Sequence, residues 1–282
     1  MIIPALFFGY ILDYFGRLLN PSTYNSIFAF NHTGIKFLAS SFFLQESWFY
    51  SIRPGSNGPF WSISYEFFYY LIFGSIMLLP GIKKRILGGI IFTVLAGPKV
   101  LLLFPCWLIG ALSYFLCKNC RIKLLTALLL IIPSGYFLFD RMLERWVQWN
   151  PWEIPGLGLY PLFYSAKFLD DYLTALAIAI FIVGGSYWFR LESKPKGHFA
   201  SLTKHFAGSS FSLYAIHFPL LAFIGALGSS GNLNSISIES AIFFILATCY
   251  LFARLFEFPL NKYRALILYY IPTLEKKCGI RS

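Results

Sequence analysis

The run Phe168-Leu-Asp-Asp-Tyr-Leu-Thr-Ala-Leu-Ala-Ile-Ala-Ile-Phe-Ile-Val-Gly-Gly-Ser-Tyr-Trp-Phe189 decides the fold class of this 282-residue chain. No charged residue stands between Asp171 and Arg190. A helix that crosses the hydrocarbon core of a bilayer needs about 20 consecutive, mostly apolar residues. This run meets that requirement, and similar runs follow one another along the chain. The sequence therefore predicts an all-α, polytopic transmembrane helical bundle.

The composition agrees with this prediction. Hydrophobic residues make up 57% of the chain and charged residues only 12%, whereas about a quarter of an average soluble domain is charged. These values exclude an ordinary soluble globule, a disordered chain and a coiled coil. The net charge of +11 would indicate nucleic acid in a soluble protein. Here we expect Lys and Arg in cytoplasmic loops, facing anionic lipids, so membrane lipids are expected partners and nucleic acid is not.

Eight stretches are predicted to span the membrane. They are Ile3–Leu19, Phe60–Leu79, Ile86–Ala96, Val100–Cys117, Ile122–Phe139, Phe168–Phe189, Ala207–Leu227 and Ile238–Phe256. Only Ile86–Ala96 is short for a span. The sequence shows no internal repeat and no second domain, so residues 1–282 are predicted to form a single integral membrane domain.

The basic residues predict the orientation. Most of the 23 Lys and Arg residues fall in every second loop and near the C-terminus. The positive-inside rule places these segments, and with them the C-terminus, in the cytoplasm of a cell membrane that the chain crosses several times. The shorter apolar stretch Lys36–Tyr50 is then either a re-entrant or interfacial segment, or a true span with Met1 outside. The sequence leaves both open.

The five cysteines do not predict a disulfide framework, because their number is odd. Cys117 and Cys120 form one CxxC motif beside basic residues. A zinc site would need a second ligand pair nearby, and none is recognisable. No metal site is predicted. The segment Met1–Phe8 lacks the basic region and cleavage site of a secretory signal.

Glu66 lies in Trp61-Ser-Ile-Ser-Tyr-Glu66-Phe-Phe-Tyr-Tyr70. Helical spacing places Ser62, Glu66 and Tyr69 or Tyr70 on one polar stripe. The helical rise from Pro59 to Glu66 is roughly 10 Å, so we expect a carboxylate buried about a third of the way into the bilayer. Ionisable groups at such depth are costly and commonly functional. Glu66 is therefore predicted to act in acid–base or substrate-orienting chemistry; the alternative is a Glu that ties two helices together.

His217 lies in Ser209-Ser-Phe-Ser-Leu-Tyr-Ala-Ile-His217-Phe-Pro219. Ser210, Tyr214 and His217 share one helical face. Pro219 has no N–H to donate to the Ala215 carbonyl and is predicted to kink the helix. A neutral His can act as a general base; the alternative is a hydrogen-bonded packing residue.

Other charged and aromatic residues have structural explanations. Asp13 stands near the middle of the first predicted span, and an ion pair with Arg17, four residues on, would compensate its charge. Asp170 and Asp171 open a helix, where an N-cap role suffices. Three tryptophans in the loop 140–167 suit either sugar stacking or an interfacial aromatic belt. They are Trp146, Trp149 and Trp152.

Three stretches carry a family resemblance. The segment Asn57-Gly-Pro-Phe-Trp-Ser-Ile-Ser-Tyr-Glu-Phe-Phe-Tyr69 resembles the N-x-P-L-W-S-L-x-x-E-x-x-F-Y signature of the acyltransferase-3 family of integral membrane O-acyltransferases. Ser210-Phe-Ser-Leu-Tyr-Ala-Ile-His-Phe-Pro219 is similar to the family's late I-S-Y-S-L-Y-L-x-H-x-P. Phe256-Glu-Phe-Pro-Leu-Asn-Lys-Tyr-Arg264 is similar to its closing E-x-P helix end. Phe104–Gly110 fits the family's F-x-x-G-x-L span more loosely.

The resemblance implies a reaction and its substrates. Family members move an acyl group, often acetyl, from cytoplasmic acyl-CoA to a carbohydrate hydroxyl, so the resemblance implies O-acetylation of a cell-surface or secreted polysaccharide. Acyl-CoA is then a donor substrate rather than a bound cofactor. The basic loops Lys83–Arg85 and Lys118–Lys123 could meet its phosphates. The implied catalytic residues are Glu66 and His217, and the implied substrate-binding residues are Trp61, Ser62, Tyr69, Ser210 and Tyr214.

The chain departs from the family pattern at its start. The family's first helix carries the proposed catalytic His and is followed by R-x-x-R-I-x-P, whereas this chain opens Met1-Ile-Ile-Pro4, matching only the end of that motif. We therefore expect an N-terminally truncated member that inserts in the membrane without transferring acyl groups by itself. A catalytically dead remnant is one alternative. Another is a transporter with a proton or solute relay of Glu66, Asp13 and His217, although the paired broken helices typical of transporters are not recognisable.

Overall fold

A computed structural model describes residues 1–22, 24, 30–143, 162–191, 197, 203, 205–229, 237–260 and 265. Within these ranges the chain forms α-helices and turns and no strand, which confirms the all-α prediction. The helices are α1 (Ile2–Leu19), α2 (Thr33–Ser41), α3 (Trp61–Leu78), α4 (Ile82–Ala96), α5 (Pro98–Leu102), α6 (Phe104–Asn119), α7 (Leu124–Met142), α8 (Phe168–Leu191), α9 (Ser210–Ser229) and α10 (Ile238–Phe252). Single turns of 3₁₀-helix cover Gly58–Phe60 and Phe163–Ser165, and a π-turn covers Ala253–Glu257.

Six helical segments of the described chain are long and apolar enough to cross a membrane. They are Ile2–Leu19, Pro98–Asn119, Leu124–Met142, Phe168–Trp188, Ser210–Gly228 and Ile238–Glu257. Large apolar side chains on them face outward, as with Leu125 at 70% exposure and Phe243 at 75%. A water-facing protein would not leave so many such side chains uncovered. The chain is a multi-pass membrane protein, and six of the eight predicted spans are confirmed as candidates.

The other two predicted spans form helices that fall outside these six. Phe60–Leu79 becomes α3, an 18-residue helix that carries Glu66 and is not among the six candidate spans. Ile86–Ala96 becomes part of α4, a helix of 15 residues. That length gives about 22 Å, less than the roughly 30 Å hydrocarbon thickness.

The stretch Lys36–Tyr50 is not a single spanning helix. It begins within α2. This helix has only nine residues, which gives it a length of about 14 Å. After Ser41 the chain turns, with positive φ angles of 61° at Phe43 and 54° at Trp48. This geometry favours the re-entrant or interfacial alternative over a true span.

The contacts group the chain into two compact units. The first contains residues 1–44, 52–61 and 196–282, and the second contains residues 45–51 and 62–195. This division concerns packing, and the single-domain prediction stays a prediction.

The first unit is built on α1, α9 and α10. α9 packs against both α1 and α10, and the buried residues at these contacts include Ala5, Ile216, Leu220, Ile245 and Phe252. Ala and Gly residues of α1 allow the close approach: a Cβ at Gly9 would lie 3.4 Å from the Pro219 Cγ. His217 and Asp13 are therefore carried on helices that pack together.

The second unit contains α4 to α8, all of α3 from Ser62 onward, and the segment 45–51. α8 packs against α6 and α7, with Gly184 so close to Ile131 that a Cβ would lie 2.7 Å from its Cγ1. The segment 45–51 is held where α4 ends, because the Trp48 amide donates to the Ala96 carbonyl at 3.0 Å. This brings Glu46 into the interior of the unit.

Several sequence predictions fall on residues outside the described ranges. These are the three tryptophans Trp146, Trp149 and Trp152, together with the basic residues Lys194, Lys196, Lys204, Lys262, Arg264, Lys276, Lys277 and Arg281.

Candidate functional site

The Asn57 side chain joins the first two resemblance stretches within the first unit. Its Nδ2 donates to the Ala215 carbonyl at 2.7 Å. In a regular helix that carbonyl would accept from the amide of residue 219, but Pro219 has no N–H. Asn57, which is 2% exposed, therefore supplies the donor that the proline removes.

Two further hydrogen bonds hold the same turns of α9. The Tyr214 hydroxyl donates to the Pro59 carbonyl at 2.6 Å. The Glu257 carboxylate accepts from the Ser212 amide at 3.0 Å and from its hydroxyl at 2.5 Å. A carboxylate at a helix N-terminus compensates amides that lack helical partners. The first and third resemblance stretches thus each hydrogen-bond to the second at α9, and Glu257 has a structural role that the sequence did not reveal.

His217 lies half-buried on α9 with one ring nitrogen engaged. Its Nδ1 is 3.0 Å from the carbonyl oxygens of both Leu213 and Tyr214. Because carbonyls only accept, Nδ1 must carry the proton, and in the neutral ring Nε2 then holds a lone pair. This geometry fixes the tautomer that a general base acting through Nε2 requires.

Ser210 and Tyr214 do not share one environment. Ser210 is the first residue of α9 and is exposed. Tyr214 is half-buried, and its hydroxyl is already bonded to Pro59. The Tyr214 ring lies 6.1 Å from the His217 ring, so it supports His217 through packing.

Glu66 is exposed on the surface of α3, so other residues of the chain do not enclose its carboxylate, and its depth in the bilayer stays a prediction. Its Oε1 accepts from the Tyr70 hydroxyl at 2.8 Å. The Tyr70 ring packs edge-on against Trp107 at 5.7 Å, and Phe73 packs against the same indole at 5.2 Å. The Glu66 patch, formed by Glu66, Tyr70, Phe73 and Trp107, combines a carboxylate with aromatic faces on the surface of the second unit.

Tyr69 lies on the buried side of α3, where its ring packs against the inner side of the patch, 6.3 Å from the Trp107 ring. It is 5% exposed, and its hydroxyl donates to the Val100 carbonyl at 2.8 Å. Its ring packs on Phe104 with centroids 5.1 Å apart. Of the two tyrosines that the helical stripe allowed, Tyr70 is the partner of Glu66, and Tyr69 fastens α3 to α5 and α6.

Trp61 and Ser62 begin α3 and are both half-buried. Trp61 belongs to the first unit and Ser62 to the second. Both make interactions with other residues.

The predicted ion pair between Asp13 and Arg17 does not form. Asp13 is 2% exposed, and its Oδ2 accepts from the Ser56 backbone amide at 2.9 Å. The Arg17 guanidinium instead lies over the Phe30 ring, 4.7 Å from its centroid. A cation over an aromatic face is attracted by the ring quadrupole, and this contact draws Arg17 away from the carboxylate.

Glu46 and Lys99 form a buried ion pair in the second unit that the sequence did not reveal. Lys99 Nζ donates to Glu46 Oε2 and to the Tyr50 carbonyl, each at 2.5 Å. The Ser51 hydroxyl donates to the other Glu46 oxygen at 2.7 Å, and the ammonium lies 5.0 Å from the Phe163 ring centroid. Burial raises the pKa of the Glu46 carboxyl, while the bonds from Lys99 and Ser51 act in the opposite direction. Lys99 directly follows Gly97-Pro98 at the start of an apolar run. This isolated charge was the sequence feature that could have indicated a buried ion pair.

Asp170 forms an ion pair rather than only opening a helix. It lies in the first turn of α8, and its two carboxylate oxygens accept from both terminal nitrogens of Arg141, one of them at 2.6 Å. The planar guanidinium matches the carboxylate in this bidentate geometry. The pair joins the end of α7 to the start of α8.

The described residues contain no group of three or more His, Cys, Asp or Glu side chains placed to hold a metal ion. Comparison with known protein families, with curated proteins and with solved structures finds no match to this chain.

Proposed function

We propose that this protein is a membrane-bound O-acyltransferase that transfers an acyl group, acetyl in the first instance, from acyl-CoA to a hydroxyl of a cell-surface or secreted carbohydrate. The proposal rests on the resemblance of three stretches to the acyltransferase-3 family. The observation that carries it is that two of those stretches each hydrogen-bond to the third on α9, the helix that holds His217. Such mutual support is what an ordered site needs around a reacting group.

In the proposed reaction, the carbohydrate hydroxyl oxygen attacks the thioester carbonyl carbon. A C–O bond forms, the C–S bond breaks, and the hydroxyl proton passes to His217 Nε2 and then to the departing CoA thiolate. Nε2 suits this role because Nδ1 is held by two backbone carbonyls. A positioned base of this kind typically contributes about 10²–10⁴-fold to the rate.

The Glu66 patch is the proposed carbohydrate-binding surface. Carboxylates accept hydrogen bonds from sugar hydroxyls, and aromatic rings offer apolar faces to the sugar ring. The Tyr70 hydroxyl bond leaves the second Glu66 oxygen available as an acceptor. The proposed location is the cell membrane, with the C-terminus in the cytoplasm, where acyl-CoA is found.

The test is glycan O-acetylation in cells that produce the full chain. The departure at Met1 predicts no acyl transfer by the chain alone, whereas the proposal that His217 is the base predicts acetylation above that of cells lacking the protein. Under this proposal we expect that acetylation to be lost in His217→Ala and in Glu66→Gln. Glu239→Gln, an acid-to-amide change at an exposed site in α10, and His32→Ala, at the exposed residue before α2, are the matched controls. No acetylation from the unaltered chain would contradict the function, and full acetylation in either site variant would contradict the role assigned to that residue.

A further inference from the structure

The first unit holds a buried carboxylate whose charge is not compensated by a salt bridge among the described residues. Asp13 stands in the middle of α1 and is 2% exposed. The salt bridges of the described chain are Glu46–Lys99 and Arg141–Asp170. Ionised carboxylates in apolar surroundings are strongly destabilised unless a positive charge or several hydrogen bonds compensate them.

Asp13 has one oxygen satisfied and one available. Oδ2 accepts from the Ser56 amide, and the Ser56 hydroxyl also interacts with this carboxyl, whereas Oδ1 is buried with no atom in hydrogen-bond geometry. The Tyr10 hydroxyl, one turn earlier on α1, is also buried without a partner, and so is the Asn57 side-chain oxygen, next to Ser56. Buried polar atoms are nearly always partnered in native proteins, so these oxygens indicate a bound species.

The backbone around Asp13 is shaped to approach the carboxylate closely. Gly55 has a φ of +58°, and a Cβ there would lie 2.0 Å from Asp13 Oδ2 and 3.5 Å from the Tyr10 ring. Only glycine permits this approach. The contact places the Tyr10 ring, the carboxylate and the 55–56 backbone around one small volume.

The surrounding titratable groups do not neutralise Asp13. Tyr10 and Tyr24 interact with it electrostatically and are neutral hydroxyls. Arg17 interacts at longer range while stacked on Phe30. On the packed helix α9, His217 directs its protonated nitrogen to its own helix.

We propose that Asp13 forms a binding site for one monovalent cation, a proton or a sodium ion, held at Oδ1 beside the Tyr10 hydroxyl. One such cation cancels the single negative charge and satisfies the free oxygen. A proton would make Asp13 a neutral acid that donates from Oδ1. A sodium ion would be coordinated by Oδ1 and neighbouring oxygens. This site does not depend on the proposed acyl transfer.

The test is labelling with dicyclohexylcarbodiimide, an apolar reagent that reacts with protonated carboxyl groups. Membranes containing the full chain are treated in sodium-free choline buffer, and again with added Na⁺ or K⁺, and the modified peptide is identified by mass spectrometry. Labelling of Asp13 that Na⁺ and K⁺ leave unchanged supports the proton. Labelling that Na⁺ but not K⁺ suppresses supports sodium. An unlabelled Asp13 in choline buffer overturns the proposal.

Asp13→Asn is the matched variant, because its amide oxygen can still accept from Ser56 while the charge is gone. We expect loss of the label and an unfolding temperature in detergent no lower than that of the unaltered chain. If sodium is the ligand, Na⁺ raises the unfolding temperature of the unaltered chain and not of the variant. If Asp13 is instead ionised and has a purely structural role, Asp13→Asn should destabilise the protein and Asp13 should not be labelled. That result would overturn the proposal.

Discussion

At the scale of single residues, a side chain replaces a backbone hydrogen bond that Pro219 removes. The donor comes from Asn57, 158 positions earlier in the chain than Ala215. An unsatisfied buried carbonyl costs about 1–3 kcal/mol, so this one contact stabilises the turn of α9 before Pro219 by an amount that matters in a marginally stable protein.

Asn57→Leu should therefore destabilise the protein by about 1–3 kcal/mol, because leucine has a similar size and no donor. Pro219→Ala restores an N–H at position 219, which can donate to the Ala215 carbonyl. The same Asn57→Leu change should then cost much less in the Pro219→Ala background. Unfolding of the four proteins in detergent measures this as a double-mutant cycle. Equal costs in both backgrounds would show that the Asn57 amide does not compensate for the proline.

The buried pair of Glu46 and Lys99 gives a second prediction at this scale. Removing one partner of a buried ion pair typically costs about 3–5 kcal/mol, whereas replacing both by apolar residues is often close to neutral. Lys99→Met should therefore be severely destabilising, and Lys99→Met with Glu46→Leu should recover most of the loss. Denaturant unfolding measures both. A double variant as unstable as the single one would contradict this account.

The deficit of Lys99→Met should also depend on pH. Burial raises the pKa of Glu46 in the folded state, and loss of the ammonium raises it further. Between the ordinary Glu value, about 4.3, and this raised value, the folded state binds more protons than the unfolded state, so its stability falls as pH rises. The deficit of the variant should shrink as the medium is acidified towards the ordinary value. A deficit that grows on acidification would contradict this sign.

At the scale of elements, the junction between α4 and α5 requires a glycine. Gly97 has a φ of +81°, and a Cβ there would lie 2.6 Å from the Trp48 Cα. The flexible end of a side chain could move aside to make room for a Cβ. The Trp48 Cα is a backbone atom held by the Trp48–Ala96 hydrogen bond, so moving it would cost free energy. This close approach is what keeps the segment 45–51, and with it Glu46, against the second unit.

Gly97→Ala should destabilise the protein by more than about 2 kcal/mol, because the left-handed conformation alone costs roughly 1–2 kcal/mol for an L-residue. Gly74→Ala is the control, since position 74 lies inside α3 and no neighbouring atom stands within 4 Å of an added Cβ. It should be neutral or stabilising by about 0.4–1 kcal/mol. Thermal unfolding of both variants distinguishes them, and equal effects would contradict the role of the junction.

At the scale of the whole molecule, the orientation of the spans can be tested without knowing whether α3 and α4 cross the membrane. These two helices follow each other directly in the chain. If both cross or neither does, every later span keeps its direction. The positive-inside rule then places the loop between α6 and α7 and the end of α8 in the cytoplasm.

A reporter fused after Lys123 or after Arg190 should read cytoplasmic, and one fused after Gly231 should read external. The reason is the excess of Lys and Arg in every second loop. Phosphatase and fluorescent-protein fusions, which are active on opposite sides of the membrane, measure this. The opposite reading at any two of the three positions would overturn the orientation.

The sequence by itself determined the all-α, multi-pass class and the approximate limits of six spans. The predicted Phe168–Phe189 and the observed span Phe168–Trp188, for example, differ by one residue. This works because insertion in a bilayer depends on the apolar content of one continuous segment, which is a local property. The same reasoning could not decide whether Lys36–Tyr50 spans the membrane. The course of this segment depends on contacts with residues far along the chain, such as Gly97 and the Ala96 carbonyl.

Only the tertiary structure decided which polar residues are partners. Helical spacing predicted Arg17 as the partner of Asp13, but the Asp13 carboxylate accepts from the Ser56 amide. The same spacing allowed Tyr69 or Tyr70 as the partner of Glu66, and the structure shows that it is Tyr70. A spacing rule describes neighbours on one isolated helix. Burial and hydrogen bonding are instead set by whichever group another segment brings within about 3 Å, and that depends on contacts between residues far apart in the chain.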